Sequence, residues 1–527
     1  MKFDLNRISL LLQTIYYLKM KQIYYRLYYI ARNKWRKFHD FKYPLTLKSH
    51  ANLIDLSSSI NTSQIYQNNT FTFLNIEHHF DKKIDWNYSG YGKLWTYNLN
   101  YFDYLQQEGM SRENGISLIH DFIKQSKQIH DGFMPYPISL RGINWIKFLT
   151  KYKIKDQKID DSLYTQHHIL MDNIEYHILG NHLLENAFSL LYGAYYFQDE
   201  KLYLKAKEIL IDELKEQILQ DGAHFELSPM YHQIMLFRVL DCINLVQNNN
   251  WKKQELLKFL ISKAEIMLGW LNTMTYENGD IPLLNDSTNN IAPTTKELNE
   301  YATTLNVKTE TLELSESGYR KIKNGRYEMM IDVGNIGPDY IPGHAHSDTF
   351  NFELYIDSKP FIVDTGVSTY ENNMRRTLER STISHNTVEV DSINQSEVWG
   401  AFRVGRRAKI IHLEENENYI EATHDGYKRI GVLHTRKFTS HENAIIIEDS
   451  IESLDIHTCA AYVHFYPGVL PKVKGNNIIL LEITITIYNA NSLEIEEYGY
   501  TGEFNQIRKA FKAKILFSDH LKMEMKI

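Results

Sequence analysis

The chain has 527 residues and a formal net charge of -7, from 58 Lys and Arg against 65 Asp and Glu. That balance lacks the cationic field on which nucleic-acid binding depends, so DNA and RNA are set aside as partners. A single core seldom grows past about 250 to 300 residues, so more than one domain is expected. The only cysteines, Cys242 and Cys459, lie far apart and exclude a disulfide framework or a cysteine-based zinc motif.

The first 38 residues hold nine Lys or Arg against one Asp, with Tyr and Leu between them. Their longest charge-free run, Ile8 to Leu18, is shorter than the roughly 20 apolar residues that span a bilayer. No small-residue cleavage site follows, so a secretory signal lacks its usual end. An amphipathic helix is predicted, lying either on an anionic membrane surface or on the protein's own body. Residues 1–80 are read as this segment and a linker.

Residues 81–315 read as helical. In NHLLENAFSLLYGAYYF, Leu183, Ala187, Leu190, Ala194 and Phe197 recur at three and four residues, giving one apolar stripe. The stretches SLIHDFIKQSKQIH, DSLYTQHHILMDNIEYHIL, KLYLKAKEILIDELKEQIL, MYHQIMLFRVLDCINLV and QELLKFLISKAEIMLGWLN continue the pattern without a fixed repeat. Over residues 316–527 the texture changes to short alternating or β-branched runs such as YEMMIDVG, TFNFELYI, NAIIIEDS and IILLEITITIY. Gly, Asn, Asp and Ser clusters separate them, which predicts an antiparallel sandwich. The groove between the two halves is the expected site, because ligands favour domain interfaces.

Asn181 and His182 open the Leu183 helix, with Glu185 one turn on. Asn181 is either its N-cap or, with His182, part of a carboxylate-binding pair where the helix dipole favours anions. Ser228-Pro229 marks another helix start, followed by Tyr231-His232. Tyr231 is a packed aromatic unless nearby positive charge stabilises phenolate, since a free tyrosine titrates near about 10. In PGHAHSDTFNFEL, His344 and His346 share a face if the segment is extended. With Asp364 and His385 they offer metal ligands, yet a hairpin turning at Ser358-Lys359 sets Asp364 opposite Glu353, seven residues short of His346. Structural histidines are the alternative. No phosphate loop, nucleophile elbow or HExxH helix is present.

The ordered motifs LWTYNLNYFDYL, PYPISLRGINWIKFL, GNHLLENA, FELSPMYH, GHAHSDTFNFEL and SHNTVEVDSINQSEVWG resemble the heparinase II/III-like polysaccharide lyases. The resemblance implies an incomplete α/α toroid followed by an antiparallel β-sandwich, and β-elimination on uronic-acid glycans. It implies Asn181 and His182 as the carboxylate-neutralising pair, Glu185 as a substrate-side glutamate, Tyr231 as acid/base and His344 as a sandwich histidine reaching the cleft. It further implies His346, Asp364 and His385 as ligands of a structural zinc, with no organic cofactor. The partner expected is an acidic polysaccharide. The rival readings are a uronyl C5-epimerase, a non-catalytic glycan-binding or assembly protein, and last a glycosidase, for which no placed carboxyl pair is found. The weak signal for secretion points to a cytoplasmic, membrane-associated placement, with the periplasm as the alternative. Tyr97, Tyr101, Trp145 and Trp399 are read as either core or sugar-stacking rings.

Overall fold

The computed structural model describes residues 5–43, 46–47, 51–480 and 483–527; the first four residues of the basic run lie outside these. Helices α1 (Leu5–Tyr16) and α2 (Met20–Phe38) come first, then α3 (Lys93–Tyr101) and α4 (Arg112–Gln125). The toroid continues through α5 (Pro135–Lys151), α6 (Gln157–Asp172), α7 (Gly180–Phe197) and α8 (Glu200–Gln217). It closes with α9 (Pro229–Asn248), α10 (Lys253–Met274) and α11 (Thr295–Thr304).

Local chemistry sets these boundaries. Asp156 and Asp199 each accept two backbone N–H bonds at the starts of α6 and α8, caps worth about 1 kcal/mol each. Every residue of α7 from Leu183 to Phe197 is buried. The helix is covered all round because α7 packs against α5, α6, α8 and α9, and its polar Glu185 and Asn186 are paired with Arg238 and Glu175. The long run DSLYTQHHILMDNIEYHIL does not stay helical. Asn173 folds its amide back on Ile169 O at 2.7 Å, and Asn186 Oδ1 takes the Glu175 N–H at 2.8 Å. That side-chain bond replaces a helical one and frees residues 173–179 to turn.

Residues 65–79, expected as linker, form a three-stranded sheet. Phe71 and Phe73 from it pack on Tyr104 and Trp95, each pair 5.2 Å apart, and so extend the toroid core.

From Tyr319 onward the chain is a sandwich. The four-stranded sheet Tyr319–Asn324, Tyr327–Asp332, Phe352–Ile356, Lys359–Ile362 is wholly antiparallel. An eight-stranded sheet runs from Ile410–Asn416 to Lys472–Lys474. A second four-stranded sheet pairs Ser492–Glu503, Gln506–Phe517, Cys459–His464 and Val388–Val390. Met329, Phe352, Phe438, Ile447, Ile485, Ile515 and Met523, drawn from all three, share one buried core. The run IILLEITITIY is two strands, with Leu480 opposite Ile483.

The Phe352–Ile362 hairpin turns one residue earlier than expected. Asp357 and Ser358 have φ of 48° and 58°, the paired left-handed geometry whose twist suits a two-residue hairpin. Ile356 therefore faces Lys359, and an irregularity follows, so that Leu354 faces Ile362.

Candidate active site

The seam between toroid and sandwich is organised by Asp286, in an irregular loop after α10. Its N–H donates to His344 O at 3.1 Å, and its carboxylate takes His344 Nδ1 and His346 Nε2, each at 2.9 Å. Arg376 adds a bidentate pair, with Nη2 at 2.7 Å. Burial alone would favour the neutral acid, but Arg376 and the two imidazoles outweigh it and hold Asp286 well below the usual carboxylate range. An ionised Asp286 fixes the proton of His344 on Nδ1, a tautomer assigned from its partner. Nε2 is left facing Glu226 Oε2 at 3.3 Å and the Asn181 amide at 3.4 Å.

His344 and His346 do not share a strand. Residues 343–351 are irregular, and regular pairing begins only at Phe352. The two rings are matched by the two oxygens of one carboxylate. His344 keeps 12% of its side chain exposed to the cleft while His346 is sealed.

Tyr231 enters from the toroid. Ser228 caps α9 by accepting the Tyr231 N–H at 3.3 Å and donates its own hydroxyl to Asp286 O at 2.8 Å. This places the Tyr231 ring 3.9 Å from that of His344, tilted by 32°. Its hydroxyl also pairs with Tyr370, and burial pushes the phenol above its ordinary value.

Asn181 is not the cap of α7; that position is Leu179, at φ 71°. Instead the Asn181 N–H and Nδ2 both donate to Glu226, at 2.7 and 2.9 Å. Gly180 makes the approach possible: at φ 61°, a Cβ there would lie 2.5 Å from Glu226 Oε1. His182 follows on the cleft wall, donating from Nδ1 to Glu175 at 3.1 Å beside the Tyr136 ring at 4.5 Å. Burial opposes its charge, but Glu175 outweighs burial and raises its pKa.

Glu185 lines the same cleft as Asn181, His182, Tyr231 and His344. It is fully buried and accepts from Arg238 Nε at 3.1 Å. Burial raises its pKa against the pull of Arg238. It holds Arg238 with Oε1, while Oε2 stays buried without a hydrogen-bond partner on the lining of the cleft. The cleft encloses about 1100 Å³, at the upper end of ordinary ligand sites. Tyr97 and Tyr101 line it, whereas Trp145 lies in the toroid core and Trp399 donates to Thr14.

The expected metal ligands fall into a different arrangement. Asp364 accepts from His385 Nδ1 at 2.7 Å and from Asn351 at 2.5 Å, so it orients the imidazole. Among the described residues, no group of three or more His, Cys, Asp or Glu is assembled to hold a metal ion. The donor chemistry nevertheless suits one. His346 and His385, their rings 5.2 Å apart, each give one nitrogen to a carboxylate and leave the other buried without a partner. Carboxylate-oriented imidazoles of this kind are what zinc ligands require.

Residues 139–311 match the heparinase II/III N-terminus model, and residues 306–527 match the heparinase II/III-like C-terminal model. The chain belongs to the heparinase II/III-like family. It is 25% identical over 246 residues to a heparin-sulfate lyase of Pedobacter heparinus, covering 41% of this chain and 36% of that protein. To a heparin-sulfate lyase of Bacteroides stercoris it is 22% identical over 334 residues, covering 58% and 48%. The chain thus spans less than half the length of these curated relatives. The crystal structure of heparinase III is similar in fold, with a TM-score of 0.67 at 17% identity over 96% of this chain and 91% of that one. The family's incomplete α/α toroid and β-sandwich is the fold of this chain.

Sequence reasoning missed four buried residues that hold the side chains of this family member's cleft in place: Glu175, Glu226, Asp286 and Arg376. Glu226 stood inside FELSPMYH and could have been singled out there. Asp286 lies in LLNDSTNN, whose irregular backbone leaves no periodic signal.

Proposed function

We propose that the chain is a polysaccharide lyase that cleaves uronic-acid-containing glycans by β-elimination. The observation that carries this reading is the Tyr231–His344 pair on the cleft wall, with Asn181 within reach of the same imidazole. A uronate carboxylate placed against Asn181 and a protonated His182 is neutralised, which makes the C5 proton removable. His344 Nε2, its Nδ1 proton held by Asp286, accepts that proton. The C5–H electrons form the C4–C5 double bond, the C4–O4 bond breaks, and Tyr231 protonates the departing oxygen. Burial keeps Tyr231 protonated at rest, which suits the acid role. The reading rests also on the heparin-sulfate lyase activity named for the two relatives.

Elimination is favoured over epimerisation because the two groups stand ring against ring. An epimerase must return a proton to the face opposite the one it strips, and adjacent rings serve one face. Incubation with unsulfated and sulfated uronate glycans should raise the ultraviolet absorbance of an unsaturated uronate. Tyr231→Phe should lower that rate by about 10²-fold to 10⁴-fold while the fold persists. Deuterium entering C5 without chain cleavage would refute the lyase reading.

A structural zinc on His346 and His385 is part of the same proposal. Bound there, it would tie residues 343–351 to residues 381–387 and supply stability rather than chemistry. Zinc at about one ion per chain, lost in His346→Ala/His385→Ala, is the expected result of metal analysis; metal-free protein of unchanged melting temperature would refute it.

A further inference from the structure

Helix α2 is mounted with its polar face inward. Gln22 donates to Ile178 O and Tyr340 O at 3.1 and 3.2 Å. Arg32 donates to Asn173 Oδ1 at 2.5 Å, and Arg36 pairs with Asp172. The apolar residues lie opposite. Met20, Tyr24, Leu27, Tyr28, Trp35 and Phe38, spaced as one helical stripe, are 43 to 86% exposed. Ile8, Leu12, Ile15 and Tyr16 form a similar stripe on α1, 40 to 80% exposed. A contiguous exposed apolar stripe on a folded protein marks an interaction surface.

The charges around the stripe say what covers it. Neither α1 nor α2 contains Asp or Glu. Lys21, Lys34 and Lys37 flank the α2 stripe and are exposed, and among the described residues Lys34 and Lys37 form no ion pair. A second copy of the chain would bring like charges together, whereas an anionic bilayer complements them. Tyr and Trp, apolar rings with polar tips, suit the headgroup level. No helix of the described residues is long and apolar enough to cross a membrane, so the helices would lie along the surface.

We propose that α1 and α2 dock the protein on the surface of an anionic lipid bilayer. Ile15 of the α1 stripe lines the cleft together with Leu18, Gln22 and Arg26, so docking brings that side of the cleft alongside the surface. The inference does not depend on the lyase reading.

Flotation of the full chain with phosphatidylcholine vesicles, with and without about one-third phosphatidylglycerol, tests it. The protein should float with the anionic vesicles and be released by salt at about 1 M. Lys34→Glu/Lys37→Glu should weaken binding by about tenfold or more, and Leu27→Glu/Trp35→Glu should abolish it. All four side chains are exposed, so an unchanged melting temperature verifies the fold. Failure to float with anionic vesicles, or flotation indifferent to both double variants, would overturn the proposal. So would a dimer that Leu27→Glu/Trp35→Glu converts to monomer without any vesicle binding, which would assign the face to a second copy.

Discussion

Two buried aspartates in this molecule carry nearly the same company. Asp286 holds Arg376, His344 and His346. Asp449, inside the sandwich, holds Arg436 at 2.7 and 2.8 Å and His434 at 2.7 Å, with His424 a further 3.0 Å along. Both carboxylates are kept ionised against burial, Asp449 being lowered to about 2. The difference is access. His434 and His424 are sealed, and Arg436 spends Nη1 on Phe350 O and Asn386 O, tying loops together. At Asp286 one imidazole breaks the surface of the cleft beside a tyrosine. An Asp–His–Arg cluster is therefore a structural staple until one member meets a ligand.

The largest effect should come from separating these roles. Asp286→Asn and Asp449→Asn each strand a buried guanidinium and should cost about 3 to 5 kcal/mol in denaturant unfolding. Activity per folded molecule should then diverge, falling by about 10²-fold or more in Asp286→Asn, which frees the His344 tautomer. It should stay within about twofold in Asp449→Asn. Equal losses of activity in both would erase the distinction. A smaller effect sharpens it on the toroid side. Glu175 raises the pKa of His182, so the proton-bearing form persists to higher pH. Glu175→Gln removes that charge, and the alkaline limb of the rate profile should move to lower pH. An unmoved limb would mean that His182 is not the group titrating there.

The sequence made the outline of the fold legible because its two halves use different periods. The helix expected at α7 and the alternation of Ala444–Glu452 are both present in the structure, although α7 is buried all round and not along one stripe. Residues carried in local motifs do line the cleft: Asn181, His182, Glu185, Tyr231 and His344. What escaped depends on chain crossings. Asp286 reaches His344 across 58 residues and Arg376 across 90, distances at which no local pattern constrains residue choice. Asn181 shows a subtler failure. A polar residue at a helix start reads as a cap through its side-chain oxygen, but here its donors are used instead, backbone N–H and Nδ2 both going to Glu226, 45 residues on. The hairpin register slipped for a third reason, since the left-handed pair Asp357-Ser358 carries no glycine to announce the turn.

The loop around Asp286 is bonded to both halves at once. Asn285 donates to Leu227 O at 3.0 Å and accepts the His346 N–H at 3.0 Å, while Ser228 reaches Asp286 O. Mechanically this is a fixed pivot. Tyr231 and His344 are held from opposite sides of it, so their spacing is set at the seam and not by the outer walls of the cleft. Side chains on the far wall of the cleft can therefore differ without retuning the pair.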